Sequence, residues 1–129
     1  EDEKWLDIRA ASVRPIMEAR LDVAVDKGCD AVEPDNMDGY TQDSGFDITA
    51  EEQLAYNKWM AAAAHERGLG VGLKNDLDQV EALVDDFDFA VNEQCWEYEE
   101  CDALDPFVEA GKAVFGVEYE GDPEDFCPS

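Results

Sequence analysis

Apolar residues along the chain follow two alternating rhythms. Short blocks carry them almost consecutively, and the stretches between blocks repeat them every three or four positions. The first pattern predicts buried strands and the second amphipathic helices. Blocks at residues 4–9 (KWLDIR), 29–33 (CDAVE), 69–74 (LGVGLK), 87–92 (FDFAVN) and 113–118 (AVFGVE) predict five strands. After the first, Ser12 is placed to cap a helix with Pro15 in its first turn, apolar positions at Val13, Ile16, Met17, Leu21 and Ala24, and Gly28 as its stop. Thr49 and Glu52 have capping-box spacing ahead of Leu54, Tyr56, Trp59, Met60 and Ala63, with Gly68 as the stop. Asp76 and Gln79 open a third helix through Val80, Leu83 and Val84, and Asp105-Pro106 opens a short fourth that Gly111 ends.

Strand and helix thus alternate five times, the pattern of a parallel α/β sheet covered by helices. A doubly wound sheet and a (β/α)8 barrel both fit, and no Gly-rich phosphate loop follows any strand to favour a nucleotide binder. Polar residues gather where the strands end: Asp7 and Arg9, Glu33 and Asp35, Lys74, Asn75 and Asp76, Asn92 and Glu93, then Glu118 and Tyr119. In barrels, catalytic groups project from such ends. An acidic residue after a strand commonly caps the next helix, and Asp76 is read as doing only that. Five polar ends in succession point to a site. A carboxylate pair on different strands is what glycoside hydrolysis needs, one group protonating the leaving oxygen and the other attacking carbon or activating water. Trp96, Tyr98 and Tyr40 beside these ends offer flat faces for sugar rings or, equally, loop packing.

Composition narrows the field. A chain of 129 residues with 45% hydrophobic content has one domain's worth of core. Asp and Glu total 34 against 9 Lys and Arg, a net charge of −25 that argues against nucleic acid as a partner. The acids are spread along the whole chain, which favours a solvated surface adapted to high salt over local attraction for a cationic substrate. No apolar run reaches the ~18 residues of a membrane-spanning helix. The chain opens on Glu1 with no visible signal peptide, so natural sequence is expected ahead of it. The four cysteines and the lone His65 lack zinc spacing, and His65, near a helix C-terminus, is read as structural. A local disulfide between Cys95 and Cys101 is expected instead, and with it an oxidising, extracellular setting. The acidic stretch at 32–46 (VEPDNMDGYTQDSGF) is no EF-hand, because setting Gly39 or Gly45 at the sixth position puts Pro34 or Tyr40 first, where a carboxylate is required.

Four runs carry a resemblance: GCDAVEPDNMDGY (28–40), VGLKND (71–76), FDFAVNEQCWEYEEC (87–101) and VFGVEY (114–119). Together, and in this order, they resemble glycoside hydrolase family 114, whose characterised members are endo-α-1,4-polygalactosaminidases on a (β/α)8 TIM barrel. The resemblance implies that residues 1–129 are a single domain, the C-terminal portion of such a barrel. The five predicted strands would be its fourth to eighth, with no counterpart to the first three strands or to the helix after the last. It implies a fragment of a larger barrel, with an exposed edge on its first strand.

The same resemblance matches the family's catalytic acids to Asp35 and Glu93, with Asp35 as nucleophile and Glu93 as general acid and base. Glu33, Asn36 and Lys74 would hold Asp35 ionised, and Trp96 would raise Glu93 towards the pKa of a proton donor. Glu33 is equally readable as an inward layer residue paired with Lys74 or Arg9. Glu33, Asn36, Tyr40, Lys74, Asn92, Trp96, Tyr98 and Glu118 make up the expected substrate site, without metal or cofactor. The implied reaction is retaining hydrolysis inside an α-1,4-linked, galactosamine-rich polysaccharide by a secreted enzyme. Partly deacetylated galactosamine is cationic, and an acidic cleft would concentrate it. The alternative is a carbohydrate-binding or structural barrel remnant without turnover.

Overall fold

A computed structural model describes residues 4–126 of the chain. Four parallel strands lie side by side in chain order: β1 (Ala31–Val32), β2 (Gly70–Lys74), β3 (Phe89–Glu93) and β4 (Ala113–Val117). Val32 stands opposite Val71, Lys74 opposite Val91, and Glu93 opposite Val117. Helices α1 (Val13–Asp26), α2 (Ala50–His65), α3 (Val80–Leu83) and α4 (Asp105–Glu109) alternate with them, and a one-turn α5 (Pro123–Phe126) follows β4, where the resemblance implied no helix.

Local chemistry explains most boundaries. The Thr49 hydroxyl accepts from the Glu52 N–H at 3.2 Å while the Glu52 carboxylate accepts from the Thr49 N–H at 2.9 Å, the capping box that their spacing predicts. Ser12, by contrast, makes no capping bond, because its backbone is already helical at φ −79° and ψ −18°. The third helix is shorter than expected, a 3-10 turn over Leu77–Gln79 running into the single turn of α3.

The expected strand at residues 4–9 does not form. Asp7 bends the chain instead: its carboxylate accepts from both the N–H and the Nε of Arg9, and its carbonyl accepts from the Ala10 N–H. A side chain that satisfies neighbouring backbone groups offers an alternative to a sheet ladder.

Side chains alternate between the sheet's two faces. Val71, Leu73 and Ala90 are buried in one core with Leu83, Phe87, Leu104 and Phe107. The opposite face carries Lys74, Phe89, Val91, Glu93, Phe115 and Val117, of which Phe115 and Val117 remain exposed. Gly72 lies on this second face, where an added Cβ would stand 2.3 Å from the Phe89 ring. That ring meets Phe115 edge-on, with centroids 5.8 Å apart. His65, at the end of α2, pairs with Asp88 at 2.8 Å, and Asp88 also accepts from the Val71 N–H. This fastens α2 to the start of β2.

Candidate active site

Lys74 ends β2 and is the hub of the strand ends. Its ammonium lies 3.0 Å from Asp35, 3.2 Å from Glu93 and 4.0 Å from Glu33, so it joins three carboxylates from two other strand ends. Burial works against the Lys74 charge, but hydrogen bonds to Asp35 and Glu93 outweigh it and hold the pKa above the usual lysine value. Glu33 is pushed up by burial, with Asp35 and Glu93 adding to the effect and Lys74 opposing it.

Beyond Lys74 the chain turns through two left-handed residues, Asn75 at φ 51° and Asp76 at φ 52°. Asn and Asp tolerate this region better than most residues because their short side chains bond locally. The turn brings the Asn75 amide beside β3. Its Nδ2 donates to the Glu93 carboxylate at 3.2 Å, and its Oδ1 accepts from the Glu93 N–H at 2.9 Å. From the end of β4, the Tyr119 hydroxyl donates to the other Glu93 oxygen. Glu93 is therefore held below the ordinary glutamate range, first by Tyr119 and then by Asn75 and Lys74, against a burial effect that would raise it. The expectation that Trp96 raises this group is corrected, since that ring is 45% exposed and leans on Phe126.

A polar cavity of 240 Å³ opens over these groups, lined by Trp5, Asp35, Asn36, Asp38, Gln42, Lys74, Asn75 and Glu93. A larger depression of 820 Å³ beside β1 is lined by Trp5, Leu6, Val32, Glu33, Met37 and Met60 among others. Two carboxylates sharing one ammonium at the mouth of a polar cavity can divide nucleophilic and proton-transfer work between them.

The glycoside-hydrolase family GH114 model matches residues 1–128. The chain belongs to this family. The crystal structure of Aspergillus fumigatus Ega3 in complex with galactosamine is 47% identical and superposes with a TM-score of 0.87. The match covers 89% of this chain and 46% of that one, so the chain spans about half the length of that solved structure. No curated protein matches it.

Of the residues that the GH114 resemblance singled out, Asp35, Asn36, Lys74 and Glu93 line the smaller cavity, and Glu33 touches Lys74 from the larger one. Asp35 is 63% exposed on the rim, and Asn36, at φ 58°, turns the chain away behind it. Tyr40 does not present its face to the cavity; its hydroxyl is buried, and burial raises its pKa with Asp76 close by. Asn92 is buried and donates to Asn75 at 3.4 Å, so it supports the site from behind. Trp96 and Tyr98 are exposed and line neither cavity, in a loop closed by a Cys95–Cys101 disulfide. The Glu118 carboxylate accepts from the Trp96 N–H at 2.9 Å and steadies that loop. Asp76 stands at the N-cap position of the 3-10 turn but its side chain makes no capping bond: it is buried and accepts from the Asn57 amide, and burial pushes it up to about 7. Asn75 and Tyr119 contact Glu93 without having been assigned a role from sequence. Their position at strand ends already marked as polar was the available signal.

Proposed function

We propose that this chain forms the C-terminal part of a (β/α)8-barrel hydrolase that cleaves internal α-1,4 linkages of a galactosamine-rich polysaccharide with retention. The observation that carries this reading is the shared ammonium. With Asp35 Oδ1 and Glu93 Oε2 at 3.0 and 3.2 Å from Lys74, these two facing oxygens are at most about 6 Å apart, a bound on the nearest atoms of the two groups that supports the shorter carboxyl spacing. Inverting enzymes hold their carboxyl groups roughly 6.5–9.5 Å apart to admit a water, whereas retaining ones use about 5–5.5 Å.

Asp35, exposed on the rim, attacks the anomeric carbon as Glu93 protonates the departing oxygen. Water then enters, Glu93 takes its proton, and the Asp35–sugar ester is hydrolysed. Lys74 donates to the Asp35 carboxylate at 3.0 Å and orients it for attack. Glu93 is held below the ordinary glutamate range, so its donor role requires a bound sugar to exclude water and raise its pKa. Asp38 adds negative charge to the cavity wall, which attracts a cationic polymer, and galactosamine is the sugar bound in the Ega3 crystal structure.

A parallel sheet ordinarily has both faces covered. The exposed Phe115 and Val117, with the depression beside β1, support closure by further strands of a barrel. The Cys95–Cys101 bridge supports an extracellular setting, and no described helix is long and apolar enough to cross a membrane.

In the full-length protein, Asp35→Asn and Glu93→Gln are each expected to reduce oligosaccharide release by at least about a hundredfold with folding nearly intact. Rates like wild type in either variant would sink the assignment. A protein that retards the polymer on a gel without shortening it would be the non-catalytic binder.

A further inference from the structure

Helix α2 carries two fully buried polar side chains one turn apart, Gln53 and Asn57. Buried amides persist when their hydrogen bonds are made, and these bonds lead to both halves of the site. Asn57 Nδ2 donates to the Met37 carbonyl at 2.9 Å and to the Asp76 carboxylate at 2.9 Å, while Gln53 Nε2 donates to Asn57 Oδ1 at 2.8 Å. A backbone carbonyl only accepts, so the contact with Met37 fixes which way the Asn57 amide points.

Met37 comes two residues after Asp35, and Asp76 two residues after Lys74. Between each pair lies a non-glycine residue in the left-handed region, Asn36 at φ 58° and Asn75 at φ 51°, and Asp76 itself is at φ 52°. Such residues hold their conformation when the surrounding structure over-determines them. One amide thus ties down the far ends of two strained turns, one bearing Asp35 and the other bearing Lys74 and the Asn75 that grips Glu93.

We propose that Asn57 is a positioning residue that sets the separation of Asp35 and Glu93 by bridging the loops after β1 and β2. It touches neither carboxylate and acts through Met37 and Asp76. Asn57→Asp preserves shape and the bond from Gln53 while turning the bridging donor into an acceptor. Asp76→Asn in that background returns a donor to one arm of the bridge. The proposal rests on the hydrolase reading, and its test keeps the two apart.

In the full-length protein, at a temperature where circular dichroism shows each variant folded, N57D is expected to lower kcat about 10- to 100-fold with a smaller change in KM. The N57D/D76N double variant should recover part of that loss. Asn57→Ser, which leaves one donor for two acceptors, should fall between wild type and N57D. Wild-type kcat in folded N57D overturns the proposal, and so does loss of folding in both N57D and N57S, which would make Asn57 a scaffold residue. If wild type releases no oligosaccharide, the hydrolase reading fails. Crystal structures of wild type and N57D then decide the positioning role, which is overturned if Asp35 and Glu93 keep their separation.

Discussion

Glu93 accepts from three donors of different chemistry, a phenol, an amide and an ammonium, and the first of these has the largest hold on its pKa. Tyr119→Phe removes that donor and leaves the ring, so the Glu93 pKa in the free protein must rise. If Glu93 is the general acid, its deprotonation sets the basic limb of kcat/KM against pH, and that limb is expected to move to higher pH. An unchanged profile refutes the contact's role, and a shift of the acidic limb instead would make Glu93 the nucleophile. At this scale the sequence was legible where polar groups stand at strand ends, as with Asp35, Lys74 and Glu93, which meet at one cavity. It was illegible where a role depends on a partner distant in the chain. Asp76 reads as a cap because nothing local reveals the Asn57 amide facing it from α2, and Tyr40 reads as a sugar platform because nothing local reveals that its hydroxyl is turned inward.

Among elements, the strands and helices that keep a clear period were legible to within a few residues. β2, β3 and β4 lie within or one residue beyond the apolar blocks, and the capping box starts α2 where its spacing said. β1 is only two residues long, and the chain bends at Asp35 three residues beyond it. The first block failed as a strand for a reason that periodicity does not contain, the capture of Arg9 by Asp7. The loop after β3 is a different kind of element, with Gln94 at φ 67°, Glu99 at φ 55° and a disulfide across its base. Closing so short a loop constrains the unfolded chain by about 2 kcal/mol. Replacing Cys95 and Cys101 by Ala is expected to lower the unfolding free energy by about that amount. It should also raise KM more than it lowers kcat, because the loop carries Trp96 and Tyr98 and not the reacting carboxylates. Denaturant titration and steady-state kinetics on the full-length protein check both, and an unchanged KM would place the two aromatics outside the substrate site.

For the whole molecule, a net charge of −25 leaves self-repulsion as a standing cost that salt relieves. The Debye length falls from about 30 Å at 0.01 M to about 3 Å at 1 M, so the melting temperature is expected to climb markedly over that range of sodium chloride. A flat response would assign the acids to local work at the substrate. The sheet also has a floor. Phe89 lies across the space that Gly72 leaves empty, braced by Phe115, one residue pair below the layer of Lys74 and Val91. Position 72 has no reactive group, yet its missing side chain is what gives the Phe89 ring its place against β2. Even a methyl there would displace that ring, so the packing one layer below Lys74 would change beneath an unaltered set of carboxylates.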